Sequence, residues 1–237
     1  MVSLGFISST ALANSSDRVW VPMMTLSGGP GWAFSGENQR IVLQPSVERT
    51  FIANKKAGTL ATGEFFIGWQ RILYPHIAGQ VGFAFATSSS AKFKGKVLHN
   101  SIPGPNDMNY HYKVNFSDMS VKGKLLMDAK YCLQAYLSGS LGVGFNRTHE
   151  FRLKPEVPRP ILPFPAFTQH TKTGVTYTLG LGMQAVFNAH WQAGLGYEFA
   201  DRGKFHFAIA PNQTIGSGLQ LNNLYVHQLQ FSLSYLA

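Results

Sequence analysis

From Leu133 to Phe145 every second residue is apolar or small: Leu133, Ala135, Leu137, Gly139, Leu141, Val143 and Phe145. The residues between and beyond them, Gln134, Tyr136, Ser138, Ser140, Gly142, Gly144 and Asn146, are polar or glycine. A period of two belongs to a β-strand, so this segment presents one greasy face and one polar or empty face. The same split recurs at Val175, Tyr177, Leu179, Leu181, Met183, Ala185 and Phe187, and at Trp191, Ala193, Leu195, Tyr197 and Phe199. Tyr225, Leu229, Phe231, Leu233 and Tyr235 repeat it at the C-terminal end. Upstream it runs through Ala61 to Trp69, through Ile77, Val81, Phe83 and Phe85, and through Met119, Val121 and Leu125. An eighth run, near 40–53, sets Ile41, Leu43, Val47 and Phe51 against Gln44, Ser46, Glu48 and Thr50. Strands of about ten residues are long enough to cross a bilayer at a tilt.

Alternation alone leaves open which medium each face meets. A soluble sandwich turns its polar face to water and fills it with Lys and Glu. Here that face is Gly, Ser, Thr and Gln, and only 13% of the chain is charged, against about 25% in an average soluble domain. Small polar groups suit the interior of a narrow barrel. Trp69, Phe145, Phe187, Trp191, Phe199, Tyr225 and Tyr235 stand toward the ends of the apolar faces, where interface girdles are expected. Links alternate in length: those at 74–76, 128–130 and 188–190 are tight, and those near 89–109, 149–172 and 203–222 are long. Short turns at one end and long loops at the other characterise outer-membrane barrels. The expected fold is all-β, an eight-stranded antiparallel up-and-down transmembrane β-barrel over 40–237, with ten strands as the alternative. No run approaches eighteen apolar residues, so no transmembrane helix is expected.

At the N-terminal end, Leu4–Ile7 and the Ala11-Leu12-Ala13 run fit an export signal over 1–13. The stretch 14–39 has no assigned place, and 23–34 within it fits the strand scheme badly. The single cysteine, Cys132, excludes a disulfide scaffold and a thiolate zinc cluster.

Gly142-Val143-Gly144-Phe145, Gly194-Leu195-Gly196-Tyr197-Glu198-Phe199 and Leu229–Leu236 resemble the strands of the small outer-membrane barrels of the OmpA transmembrane-domain and OmpX type. That resemblance implies an outer-membrane location in a Gram-negative bacterium and a structural or adhesin-like role carried by extracellular loops. It leaves a lipid A-modifying barrel enzyme as one alternative, and a soluble lipocalin-like carrier, which also has eight strands, as another.

On this register Glu48, Glu64, Glu198, Lys122, Lys124 and Arg202 point into the lumen. A carboxylate in a narrow lumen is costly unless paired, so these groups are expected to form a closing network. The eight histidines show no i, i+4 pair of a helical zinc site, and no metal, cofactor or catalytic residue is assigned; Asp107 with His111, and His149 with Glu150, are dyads by proximity only. Twenty Lys and Arg against eleven Asp and Glu give a net charge of +9. Many of the bases, among them Lys55, Lys56, Lys92, Lys94, Lys96, Arg147, Arg152, Lys154, Arg159, Lys172 and Lys204, fall in or near the long links. The expected partners are outer-membrane lipid, lipopolysaccharide phosphates and a surface or host ligand. Nucleic acid is not expected, for want of a dense patch or recognition motif, and the barrel is expected to be monomeric.

Overall fold

The computed structural model describes residues 19–34, 36–44, 47–99, 107–128, 132–155, 167–210, 213 and 216–237, so the expected signal at 1–13 lies outside them. In chain order the strands are β1 (Val21–Phe34), β2 (Gln39–Gln44), β3 (Val47–Ala53), β4 (Gly58–Tyr74), β5 (Ile77–Ser88), β6 (Ala91–His99) and β7 (Met108–Asp128). Then follow β8 (Leu133–Pro155), β9 (His170–Val186), β10 (Trp191–Asp201), β11 (Phe205–His206), β12 (Gln220–Leu221) and β13 (Tyr225–Leu236). Eight of them close into an antiparallel ring, β1-β4-β5-β7-β8-β9-β10-β13, because β1 pairs with β4 on one side and β13 on the other.

The register sets the shape. Cross-strand partners followed round the ring from Trp69 run Val81, Gly123, Gly139, Leu179, Phe199, His227 and Trp32, and return to β4 at Thr59. The stagger is therefore 69 − 59, or ten residues. Ten residues at ~3.3 Å set against eight strands at ~4.8 Å make a strand tilt of about 40°. A barrel this narrow is filled by its own side chains.

The barrel begins at Val21, not near 40. The segment 23–34 is the first membrane strand, and 40–53 is not one. Gly28-Gly29-Pro30-Gly31 hides the strand because it breaks the alternation, and Pro30 has no N–H to donate. Pairing with β13 lapses at Gly29 and Pro30 and resumes in register at Gly31. The 40–53 stretch folds instead as the β2–β3 hairpin, whose β3 edge pairs with β6.

All long connections leave one end of the ring, where they are not merely loops. β7 and β8 run together past the barrel as far as Met108 and Pro155, and β6 pairs with the top of β7. The sheet β2-β3-β6-β7-β8 thus continues the barrel wall outward. A bulge at Glu150, whose φ is +52°, shifts the register between Lys113–His149 and His111–Arg152 and turns Phe151 inward. The inner face of this sheet (Phe51, Phe93, Val97, Tyr110, Tyr112, Phe151) packs on Phe205, Phe207, Leu219 and Leu221 of the β10–β13 connection in one buried cluster. The proline-rich stretch at 156–166, with Arg159, lies outside the described residues.

Within the ring the two faces have opposite fates. Leu179, Leu195 and Phe231 are 59%, 52% and 58% exposed, and Leu133 is exposed too, whereas Thr178 and Glu198 are buried. An apolar band this wide and continuous belongs in lipid, not water. Inside, Tyr136 lies across β9 and β10 in a slot made by two glycines. A Cβ on Gly196 would stand 1.9 Å from the Tyr136 hydroxyl, and one on Gly182 would stand 2.7 Å from its ring. Gly196→Val is expected to destabilise the barrel by roughly 1–3 kcal/mol by overpacking. Urea unfolding in detergent micelles would measure it, and Tyr136→Ala in the same chain should restore most of the loss.

Candidate functional site

Two structures above and within the ring carry charge: the lumen network and the outer sheet. In the lumen, Lys122 on β7 donates to Glu64 on β4 at 2.7 and 2.8 Å and to Glu198 on β10 at 2.8 Å. Gln228 on β13 donates to the other Glu198 oxygen at 2.7 Å, and Ser27 on β1 reaches Glu64 at 3.4 Å. Even-numbered residues of β4, β7, β10 and β13 and odd-numbered residues of β1 all point inward, so alternation alone delivers these groups to one level. Lys124, one inward position away, meets no carboxylate. It donates to Gln184 at 2.8 Å and lies 3.9 Å over the Tyr136 ring, while Gln184 donates to Gln134 and Gln192 at 2.9 Å.

A second level sits toward the outer end. Arg202, just past β10, turns back to donate to Asp118, and its guanidinium stacks 4.2 Å over Phe116. Asn146 donates to the Arg202 carbonyl at 2.5 Å. Asp118 was not among the expected network members, although its even number on β7 placed it beside Lys122. Glu48 does not reach the lumen: it lies on the β2–β3 hairpin, paired with Arg40, because its segment is not a barrel strand. The inward set is therefore three bases (Lys122, Lys124, Arg202) against three acids (Glu64, Glu198, Asp118). Side chains leave a lumen cavity of about 30 Å³, lined by Thr25, Ser27, Glu64, Lys122 and Lys124 among others, room for about two waters.

The girdle aromatics face outward in two groups. Trp69, Phe187, Trp191 and Tyr235 stand at the turn end, where Trp191 and Tyr235 pack edge to face at 5.2 Å. Phe145, Phe199 and Tyr225 stand toward the loop end, where Phe199 stacks on Tyr225 at 5.9 Å. Phe34, Tyr177 and Tyr197 join this second group; their outward parity on β1, β9 and β10 was the available signal.

Nucleophile and base geometry fails where it is closest to forming. Ser90 Oγ lies 3.3 Å from His149 Nε2, and Glu150 Oε1 lies 3.9 Å from that same nitrogen, while His149 Nδ1 is buried without a hydrogen-bond partner. A working triad needs the carboxylate on the opposite ring nitrogen from the hydroxyl. Burial holds the His149 imidazole below its ordinary value, despite the Glu150 carboxylate beside it. The Lys113 ammonium, which hydrogen-bonds Glu150, draws that carboxyl below the usual range. The deacylase spacing of His and Ser two apart occurs at His99-Asn100-Ser101, but Ser101 lies outside the described residues. No group of three or more His, Cys, Asp or Glu able to hold a metal is found among the described residues.

No family model matches the chain, and no curated protein matches it. Solved structures do. OprG, an outer membrane protein from Pseudomonas aeruginosa, aligns over 92% of this chain and 98% of its own at TM-score 0.51 and 12% identity. The outer membrane protease OmpT from Escherichia coli aligns over 94% and 100% at TM-score 0.52 and 8% identity. This is the fold of the small outer-membrane β-barrels. Such a fold hosts unrelated activities, so the activity has to be argued from the site.

Proposed function

We propose that this protein is an integral, non-enzymatic barrel of the Gram-negative outer membrane whose sealed membrane part holds up an extracellular sheet for surface interaction. The observation that carries this reading is the double closure of the lumen. Glu64, Lys122, Glu198, Asp118 and Arg202 fill the interior at two levels, and an aromatic cluster caps the loop end. A barrel spent on filling itself offers no path for solute. The chain's long connections are instead ordered into a sheet at the outer end, the part that an adhesin-like or membrane-organising protein presents. The barrel acts as a monomer without a cofactor, with lipopolysaccharide and a surface ligand as its partners.

Reconstitution in planar bilayers tests the reading. The expected trace shows no steady open channel, and a large stable conductance at neutral pH would overturn it. Ordered water in a 30 Å³ void does not conduct.

A further inference from the structure

The outer face of the extracellular sheet carries its cations in cross-strand register. Three rows run across β6, β7 and β8: Lys92 with Lys113 and His149, Lys94 with His111 and Arg152, and Lys96 with Asn109 and Lys154. Directly opposed residues have Cβ atoms about 5 Å apart, and like charges so placed repel. Glu150 is the one carboxylate described on this part of the face, and it is taken by Lys113 at 3.0 Å. The bases cannot turn inward to escape one another, because the reverse face is the aromatic cluster of Phe93, Tyr110, Tyr112 and Phe151. His111 registers the field: burial, then Lys92, Arg152 and Lys94, holds its imidazole below the ordinary value. A sheet that accumulates uncompensated repulsion on one face is suited to an anionic cover.

Position narrows the identity of that cover. On β8, Arg147, Arg152 and Lys154 share the outward side with Phe145 of the loop-end girdle. Lys154 is nine residues beyond Phe145, about 30 Å of strand, or roughly 20 Å of height at the barrel's tilt. A phospholipid headgroup layer is only about 5–8 Å deep per leaflet, so it covers the foot of this face and leaves the rest bare.

We propose that this face, Lys92, Lys94, Lys96, Arg147, Arg152 and Lys154, binds the phosphorylated saccharide headgroup of a lipopolysaccharide molecule packed against the barrel wall. The assignment rests on the orientation in the proposed function, with the sheet on the outside of the cell. It adds the partner and the residues that hold it.

The test uses the whole protein in nanodiscs of phosphatidylcholine and four probes: rough lipopolysaccharide, the same material after phosphatase treatment, phosphatidylglycerol vesicles and a soluble sulfated polysaccharide. A variant combining Lys92→Gln, Lys94→Gln, Lys96→Gln, Arg152→Gln and Lys154→Gln should lose at least tenfold in affinity for lipopolysaccharide. A matched variant exchanging Lys and Arg at the same five positions should retain most of it. Should the fivefold variant not fold, Lys94→Gln alone is expected to cost about fivefold. Dephosphorylated lipopolysaccharide and phosphatidylglycerol should bind the unmodified protein no better than lipopolysaccharide binds the glutamine variant. Unchanged affinity in that variant, or equal binding of dephosphorylated material, would overturn the proposal. So would tight binding of the soluble polysaccharide with none of lipopolysaccharide. Bilayer conductance is read separately, so a leaky barrel would defeat the proposed function without touching this result.

Discussion

Replacing Arg202 with methionine is expected to remove about 3–5 kcal/mol of folding free energy, the cost of leaving a buried charge without its partner. Arg202 and Asp118 are both almost fully buried, and Arg202 joins the end of β10 to β7 across the lumen. Methionine keeps much of the packing over Phe116 but leaves the Asp118 carboxylate facing an apolar cap. Adding Asp118→Leu to Arg202→Met should recover most of the loss, because removing both members of a buried pair also removes their desolvation penalty. Urea unfolding in detergent micelles, followed by tryptophan fluorescence, gives both numbers and the coupling between the two sites. A single variant within 1 kcal/mol of the unmodified protein would mean that Asp118 is not sustained by Arg202. The pair is one of the two levels that close the lumen, so such a result would also weaken the sealed-barrel reading.

Phe231→Arg should cost about 2–4 kcal/mol and block membrane insertion, while Phe231→Leu should change stability by less than about 1 kcal/mol. Phe231 lies on β13 midway between Tyr225 and Tyr235, the girdle residues of that strand, and points away from the lumen. A cation there has neither water nor a partner within reach. The contrast with the leucine variant separates polarity from the loss of an aromatic ring. It also bears on the soluble-carrier alternative. On a barrel surrounded by water, an outward arginine would be harmless and would improve solubility. The readouts are urea unfolding in phosphatidylcholine vesicles and the fraction of protein that migrates as a compact species on an unheated detergent gel.

Legibility in the sequence followed a single rule, and the misreadings came where that rule is degenerate. The inward set of Glu64, Lys122 and Glu198 could be placed by counting residues, because β4, β7 and β10 alternate without interruption. Their mutual contact could not, since it depends on the ten-residue stagger that brings distant strand positions to one level. Strand β1 escaped notice because Gly28-Gly29-Pro30-Gly31 carries no side chains large enough to mark a face. The β2–β3 segment was taken for a membrane strand because Ile41 and Phe51 alternate as well as any residue in the barrel. The bulge at Glu150, which reverses the facing of everything beyond it on β8, leaves no mark in composition.

What the chain's order of residues determined by itself is the strand period, the tilt-compatible strand lengths, the alternation of short and long links and hence a closed antiparallel barrel. Those are local properties, written every second residue. Only the tertiary structure decided what each apolar face meets. Phe51 is 3% exposed against the aromatic cap and Leu181 is 59% exposed on the barrel wall, yet the two sit in equally regular patterns. A period of two separates two sides of a strand and says nothing of the medium beyond either, because burial is a property of the neighbours that closure and stagger bring across from distant parts of the chain.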